Sequence, residues 1–534
     1  MSAIPTSEQL RAIECTGNAV ITARPGSGKT FTLARMIARE SACLLSYQGI
    51  IAISYTNGAS DELRARCDRL GIEHNRSFFG TIDKFCIGQV IAPFASHLTG
   101  RDIDYEIVED SAFEGWGRLA GRMPNDPELK AFIRGVLLRG KLPIGALGAA
   151  ALYTLDAVPQ AQAFIKSRYK SIFIDEYQDC GLYQHLLLKL LVSYGLRGTA
   201  VGDIDQAIFR FADKSPDYLL DLTKAPGFEH FQITENHRCD RSIQAYSLAL
   251  LRIKTDPIEP QNRRVFAIHM RGDERVLAKG IRTTLPRIME KYGVTEQSNV
   301  ALLGTTNAVL DRYSQTIGIP NKRFKSTPLD RGLSRWRRLF TDLLRSYYDP
   351  NRFSGLFLDS HAGGEIKPAK RNRGLTLLDE YFALSESELA TELDLARELA
   401  RFFEPGAEHA GDVEAYRCVV TNRDLLRDAF RPAQPDEINI LTYHKAKGLE
   451  FDIVFCLEAY RFVMPIYKYA EKPYDAYGQA IAMHYVGITR ARKVCYILLG
   501  DKRTNSCGLL KDAEPSEFLS FPELSDLRID TRWD

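Results

Sequence analysis

ITARPGSGKTFTLAR, residues Ile21 to Arg35, decides the fold. The apolar run Ala19 to Ala23 suits a buried parallel strand. Gly26, Ser27, Gly28, Lys29 and Thr30 then form a glycine-rich turn, and apolar residues resume at helical spacing through Leu33, Met36 and Ile37. Glycines let the backbone close around phosphates, and the N–H groups at the helix start face negative charge. Lys29 is predicted to reach the β- and γ-phosphates of a nucleoside triphosphate, and the Thr30 hydroxyl to bind Mg²⁺.

The metal needs a carboxylate at the end of another strand, and SIFIDEYQD (171–179) supplies it. Asp175 is predicted to hold Mg²⁺, and Glu176 to orient or deprotonate the attacking water. Taken alone, such an acidic pair is more often a surface feature or a cap. After an apolar strand, in a chain with a phosphate loop, it reads as hydrolytic machinery. GTAVGDIDQAIFRF (198–211) gives a third strand end. There Gln206 suits sensing of the γ-phosphate, while Phe209 and Phe211 either pack in the core or stack on bases. Tyr55, in AISYTNGA, poses the same choice.

At 534 residues the chain exceeds a single hydrophobic core, and its 45% hydrophobic, 26% charged composition is that of an ordinary soluble protein. The apolar stretches are too short to cross a bilayer, and Pro5, Glu8 and Gln9 stand where a signal peptide would be apolar. The ten cysteines show no C-x-x-C pair, which suits a reducing cytoplasm. A net charge of +2 leaves only local patches for a polyanion. Lys322 to Arg338 carries seven basic residues against one Asp, and Lys367 to Arg373 carries four. Each reads as a solvated face unless something else requires nucleic acid.

TSEQ (6–9), ARPGSGKT (23–30), SYTNGA (54–59), GTIDKF (80–85), DEYQD (175–179), GDIDQAIFRF (202–211), ENHR (235–238), TYHKAKGLEF (442–451) and YVGITRA (485–491) follow in order along the chain. Together they resemble the UvrD/Rep/PcrA family of superfamily 1 helicases. The resemblance implies an α/β fold of two RecA-like P-loop motor domains with parallel sheets, each interrupted by a mainly helical insert. It also implies Mg²⁺-ATP bound between the motors and 3′-to-5′ movement on single-stranded or tailed duplex DNA. By resemblance Gln9 reads the adenine edge, and Arg238 and Arg490 reach the γ-phosphate. An arginine fork, always charged, suits the charge that develops there. Glu450, with His444 and Lys447, falls in the family's coupling motif near nucleotide and DNA. Tyr55, Phe209 and Phe211 match base-stacking positions, Asn57 and Thr81 backbone contacts.

The chain departs from the family pattern at several positions. Phe31 and His237 stand where the family sandwiches adenine between Arg and Tyr, and both are flat rings able to stack. Phe211-Ala212 replaces Trp-Arg, and Gly58 replaces a Lys, which predicts a weaker grip on single strands.

The first motor is placed at 1–88 and 166–235 around an insert at 89–165. The second is placed at 236–310 and 426–534 around a reduced insert at 311–425, with NVALLGTT, ILTYH, IVFCLEA and KVCYILL as core strands. After YVGITRARK only a short, acidic-leaning tail is expected, without a nuclease domain. The compactness resembles the helicase subunits of Gabija-type anti-phage systems. That implies a nuclease or other defence or repair subunit as partner, and no membrane. An ATP-driven DNA motor is the leading reading. A nucleotide-gated DNA-sensing subunit with little unwinding of its own is the alternative, and an RNA motor a weaker third.

Overall fold

The computed structural model describes the chain except for residues 1–3, 56, 73–75, 102, 104, 109, 111–112, 207–215, 331–333, 362–366, 406–407, 409, 466–472, 506–507 and 534. Two parallel sheets organise it, each built from apolar runs that end where the motifs begin. The first contains β1 (Asn18–Ala23), β2 (Gly49–Ile53), β3 (Phe78–Gly80), β4 (Tyr169–Ile174), β5 (Arg197–Gly202) and β6 (Phe228–Ile233), in the order β3-β2-β4-β5-β1-β6. β1 lies between β5 and β6, with Ile21 opposite Val201 and Phe231. The phosphate loop therefore leaves the sheet beside the strand ends that carry Asp203 and Thr234.

The second sheet contains β7 (Val265–Met270), β8 (Val300–Gly304), β9 (Asn321–Arg323), β10 (Ile438–Thr442), β11 (Phe451–Cys456), β12 (Ala491–Gly500) and β13 (Ile529–Thr531). Its order is β9-β10-β8-β11-β12-β7-β13. The four strands expected from sequence, β8, β10, β11 and β12, sit side by side at its centre. Two edges were not anticipated. β9 lies within the stretch assigned to the second insert and pairs with β10, and the C-terminal tail returns as β13 against β7.

The inserts differ in how they join their motors. Between β3 and β4 the chain forms helices, including Pro127–Arg139 and Leu147–Ala157, and one short parallel strand pair, Glu106–Val108 with Lys141–Pro143. Leu137, Ala150 and Leu155 share one apolar core with Val20, Ile51 and Ile172 of the sheet, so this insert is fused to its motor. Between β9 and β10 the helices include Arg335–Tyr347, Pro368–Ala383 and Leu393–Phe403. They enclose a core of their own around Trp336, Phe340, Leu378, Tyr381 and Tyr416.

The basic run at Lys322 to Arg338 is not a free cationic face. Arg323 pairs with Asp311, Lys325 with Asp428, Arg335 with Glu404, Arg337 with Asp412 and Arg338 with Asp83 of the first motor. Lys322 is buried and donates to the Arg427 carbonyl. Arg331 lies outside the described residues. In the second patch Arg371 pairs with Asp359 and Arg373 with Glu398. Among the described residues, most of this charge fastens the insert together and to the first motor.

Candidate nucleotide site and the cleft between the motors

The phosphate loop adopts the backbone its glycines permit. Gly26 and Gly28 have φ of +73° and +80°, a left-handed region costly for residues with a Cβ, and helix Lys29–Ser41 starts at once. Ser27 folds the turn inward, its N–H and hydroxyl both donating to the Arg24 carbonyl at 3.2 and 2.7 Å. Lys29 Nζ lies 4.0 Å from Asp203 Oδ2, and Thr30 occupies the first helical turn.

Asp175 and Glu176 close β4 as expected, and Glu176 takes a left-handed φ of +51° that turns its side chain away from the strand direction. Burial pushes the Asp175 carboxyl up, and Glu176 beside it adds to the effect. Burial also opposes ionisation of Glu176. Lys29, Lys447 and the Gln178 amide outweigh it and hold that carboxyl below its ordinary range. Gln206 is buried and donates to Asp203 Oδ2 at 2.9 Å. Asp175, Glu176, Asp179 and Asp203 thus gather against Lys29 and Lys447. That acid surplus, beside a loop with outward-turned carbonyls, fits Mg²⁺ with a triphosphate. When bound, the cation would neutralise phosphate charge, with Thr30 and Asp175 the residues placed to hold it.

The second motor enters this site from the other side. Lys447 Nζ lies 2.5 Å from Asp179 Oδ2, 3.7 Å from Glu176 Oε2 and 3.3 Å from the Gln206 carbonyl. Lys447, expected near both nucleotide and DNA, thus sets its ammonium among the carboxylates that follow β4. Arg238 lies against the phosphate loop, and Glu450 Oε2 sits 2.7 Å from its Nε without lining up on the N–H, so charge rather than a directed bond holds the pair. Glu450 also approaches Arg492 at 3.5 Å. Arg490 is 1% exposed, and its guanidinium donates to the Val486 and Leu449 carbonyls and the Thr489 hydroxyl. Burial, with Arg238 nearby, lowers its pKa to about 10.

The adenine and DNA candidates are less closely gathered. Gln9 is buried, accepting from the Thr6 N–H and donating to the Ser27 carbonyl at 2.9 Å, so it anchors both a helix cap and the phosphate loop. Phe31 carries the Arg35 guanidinium 4.8 Å from its ring centre, and exposed His237 lies beside Gly26, to whose carbonyl its N–H donates. Tyr55 is 40% exposed at the end of β2. The Thr81 hydroxyl caps helix Ile82–Phe85. His444 is half-buried in the short helix Tyr443–Ala446. Phe209, Phe211 and the Asn57 side chain lie outside the described residues.

Three residues escaped the sequence reading. Gln178 donates to Glu176 Oε2 at 2.5 Å and accepts from the Asp203 N–H, joining two motifs. Asp179 receives Lys447, and Asn236 touches the phosphate loop. All three lie inside motifs visible in the sequence, Gln178 and Asp179 in DEYQD and Asn236 in ENHR.

Two family profiles match the chain: the UvrD/REP helicase N-terminal domain over residues 6–116 and 129–226, and the UvrD-like helicase C-terminal domain over 391–501. Gabija protein GajB of Bacillus cereus (strain VD045) is 25% identical over 521 residues, covering 91% of this chain and 94% of its own. ATP-dependent DNA helicase PcrA of Bacillus subtilis (strain 168) is 20% identical, covering 93% of this chain and 82% of its own. ATP-dependent DNA helicase Rep of Buchnera aphidicola is 24% identical, and the match spans 67% of this chain and 66% of that one. The two profiles take in more than half of the residues and meet the structure at both motors. The chain belongs to the UvrD/Rep helicase family and is an ATP-dependent DNA helicase of its two-motor design.

Proposed function

We propose that the protein moves 3′-to-5′ along single-stranded DNA, hydrolysing Mg²⁺-ATP in the cleft between its motors. One observation carries the reading: Lys447 of the second motor reaches Glu176 and Asp179 of the first. Lys29, Thr30 and Asp175 hold the phosphates and Mg²⁺, Glu176 takes the proton of the attacking water, and Gln206, Arg238 and Arg490 face the γ-phosphate. Gln9, Phe31 and His237 frame the base. By the family resemblance the strand is the ligand of Tyr55, Asn57, Thr81, Phe209, Phe211 and His444, with Lys447 between strand and nucleotide.

The likeness to Gabija protein GajB over nearly the whole of both chains supports a place in a defence assembly, with a nuclease as the partner class. No described helix is long and apolar enough to cross a membrane. One observation favours the sensing alternative: most of the described charge at Lys322 to Arg338 is taken up in ion pairs, which removes that face from strand binding. Tailed duplexes separate the readings. A motor displaces the strand of a 3′-tailed duplex with ATP and leaves a 5′-tailed one paired, whereas a sensor shows DNA-stimulated ATPase with neither displaced.

A further inference from the structure

A phosphate loop that turns its N–H groups inward turns its carbonyls outward, where each needs a donor. Three consecutive carbonyls receive one from outside the loop. Pro25 accepts from Asn236 Nδ2 at 2.9 Å, Gly26 from the His237 N–H at 2.8 Å and Ser27 from Gln9 Nε2 at 2.9 Å. Two of these donors belong to the joint between β6 and the second motor. The Asn236 Oδ1 atom faces the other way and accepts from the N–H groups of Arg238 and Cys239, both at 2.8 Å. A carbonyl can only accept and an N–H can only donate, so the partners force this amide orientation. The packing is close: a Cβ on Gly26 would lie 2.5 Å from Arg238 Cβ and 2.8 Å from Asn236 Oδ1.

We propose that Asn236 is a positioning residue for ATP hydrolysis, holding the backbone of Arg238 in fixed register with the phosphate loop through one side-chain amide. The Arg238 guanidinium is held separately, by Glu450 of the second motor. Movement of the motors therefore redirects the head of Arg238 while its root stays tied to the phosphate loop. The inference rests on the reading of the loop as the phosphate site and of Arg238 as a cation facing the γ-phosphate.

The chemistry of the amide supplies a graded test. Asn236→Ala removes both contacts. Asn236→Asp keeps the acceptor for Arg238 and Cys239 but loses the donor to Pro25 and sets two oxygens against each other. Steady-state ATPase of the full chain, saturated with an oligo-dT strand, reads both variants, and melting curves confirm that they fold.

N236A is expected to lower kcat at least about tenfold, the equivalent of one to two hydrogen bonds. Combined with Arg238→Ala it should cost no more kcat than R238A alone, because the two act through one group. N236D is expected to retain more kcat than N236A while raising KM for ATP about tenfold. Should N236A fail to fold, the KM-to-kcat split of N236D carries the test. The proposal is overturned if N236A keeps kcat and KM within about twofold of the natural chain, if its loss multiplies with that of R238A, or if N236D changes kcat and KM as N236A does. Absence of DNA-stimulated ATPase in the natural chain would refute the reading of the site itself, a separate failure.

Discussion

Replacing Lys447 by Met keeps the length of the side chain and deletes the charge that the second motor delivers to the first. Its ammonium lies 2.5 Å from Asp179, and the two side chains are 11% and 1% exposed. The other oxygen of Asp179, Oδ1, is buried without a hydrogen-bond partner, so Lys447 is its principal support. Breaking a buried pair from one side typically costs about 3–5 kcal/mol. Here the loss is limited, because burial already pushes the Asp179 pKa up to about 6 despite Lys447, and the abandoned carboxyl can take a proton. About 2–4 kcal/mol remains, a shift of roughly 30- to 1,000-fold in the balance between apposed and separated motors. Dyes at exposed Cys43 of the first motor and Cys418 of the second insert, with Cys507 replaced, report that balance by energy transfer. K447M is expected to lower transfer and DNA-stimulated kcat together, and adding D179N should cost less than the sum of the single changes. Natural transfer and natural kcat in K447M would show that Lys447 does not hold the motors together.

K29A should impair ATP binding, whereas E176Q should bind ATP normally and lose turnover by about 100-fold or more, as measured by equilibrium binding beside steady-state ATPase. Q9A should raise KM for GTP as well as for ATP, because Gln9 holds the Ser27 carbonyl whichever base is bound. A GTP KM left unmoved would confine Gln9 to base reading. Lys322 gives a pH signature, since burial lowers its pKa from 10.5 to about 7. Between those values the unfolded chain binds the extra proton, so the destabilisation is full below pH 7 and fades as pH rises toward 10.5, roughly 3–5 kcal/mol in all. Melting curves of K322M should exceed those of the natural chain most at pH 6.5 and converge by about pH 10.

The motors were legible in the sequence because each central strand is a short apolar run ending in a motif, and because glycines stand at 26 and 28, where a left-handed backbone is costly for any other residue. What bridges the motors was not. The motif of Lys447 points to nucleotide and DNA but not to its ion-pair partner, because Asp179 lies 268 positions away. The basic run at 322–338 displayed its charge but not its counter-ions, which come from Asp83, Asp311, Glu404, Asp412 and Asp428. Asn236 stands inside the ENHR motif, but an amide that satisfies a carbonyl leaves no charge or periodicity to show what it holds. The tail strand β13 is only three residues long and too polar to announce itself.

Directional movement driven by ATP can be measured without duplex or partner. Streptavidin is bound to biotin at the 5′ or the 3′ end of a single strand, and its release is followed after ATP is added. A 3′-to-5′ motor strips streptavidin from the 5′ end and leaves the 3′ end occupied, and its E176Q variant releases streptavidin from neither. Release from the 3′ end alone would reverse the polarity. DNA-stimulated ATPase with no release from either end would contradict the motor and leave a nucleotide-gated DNA sensor.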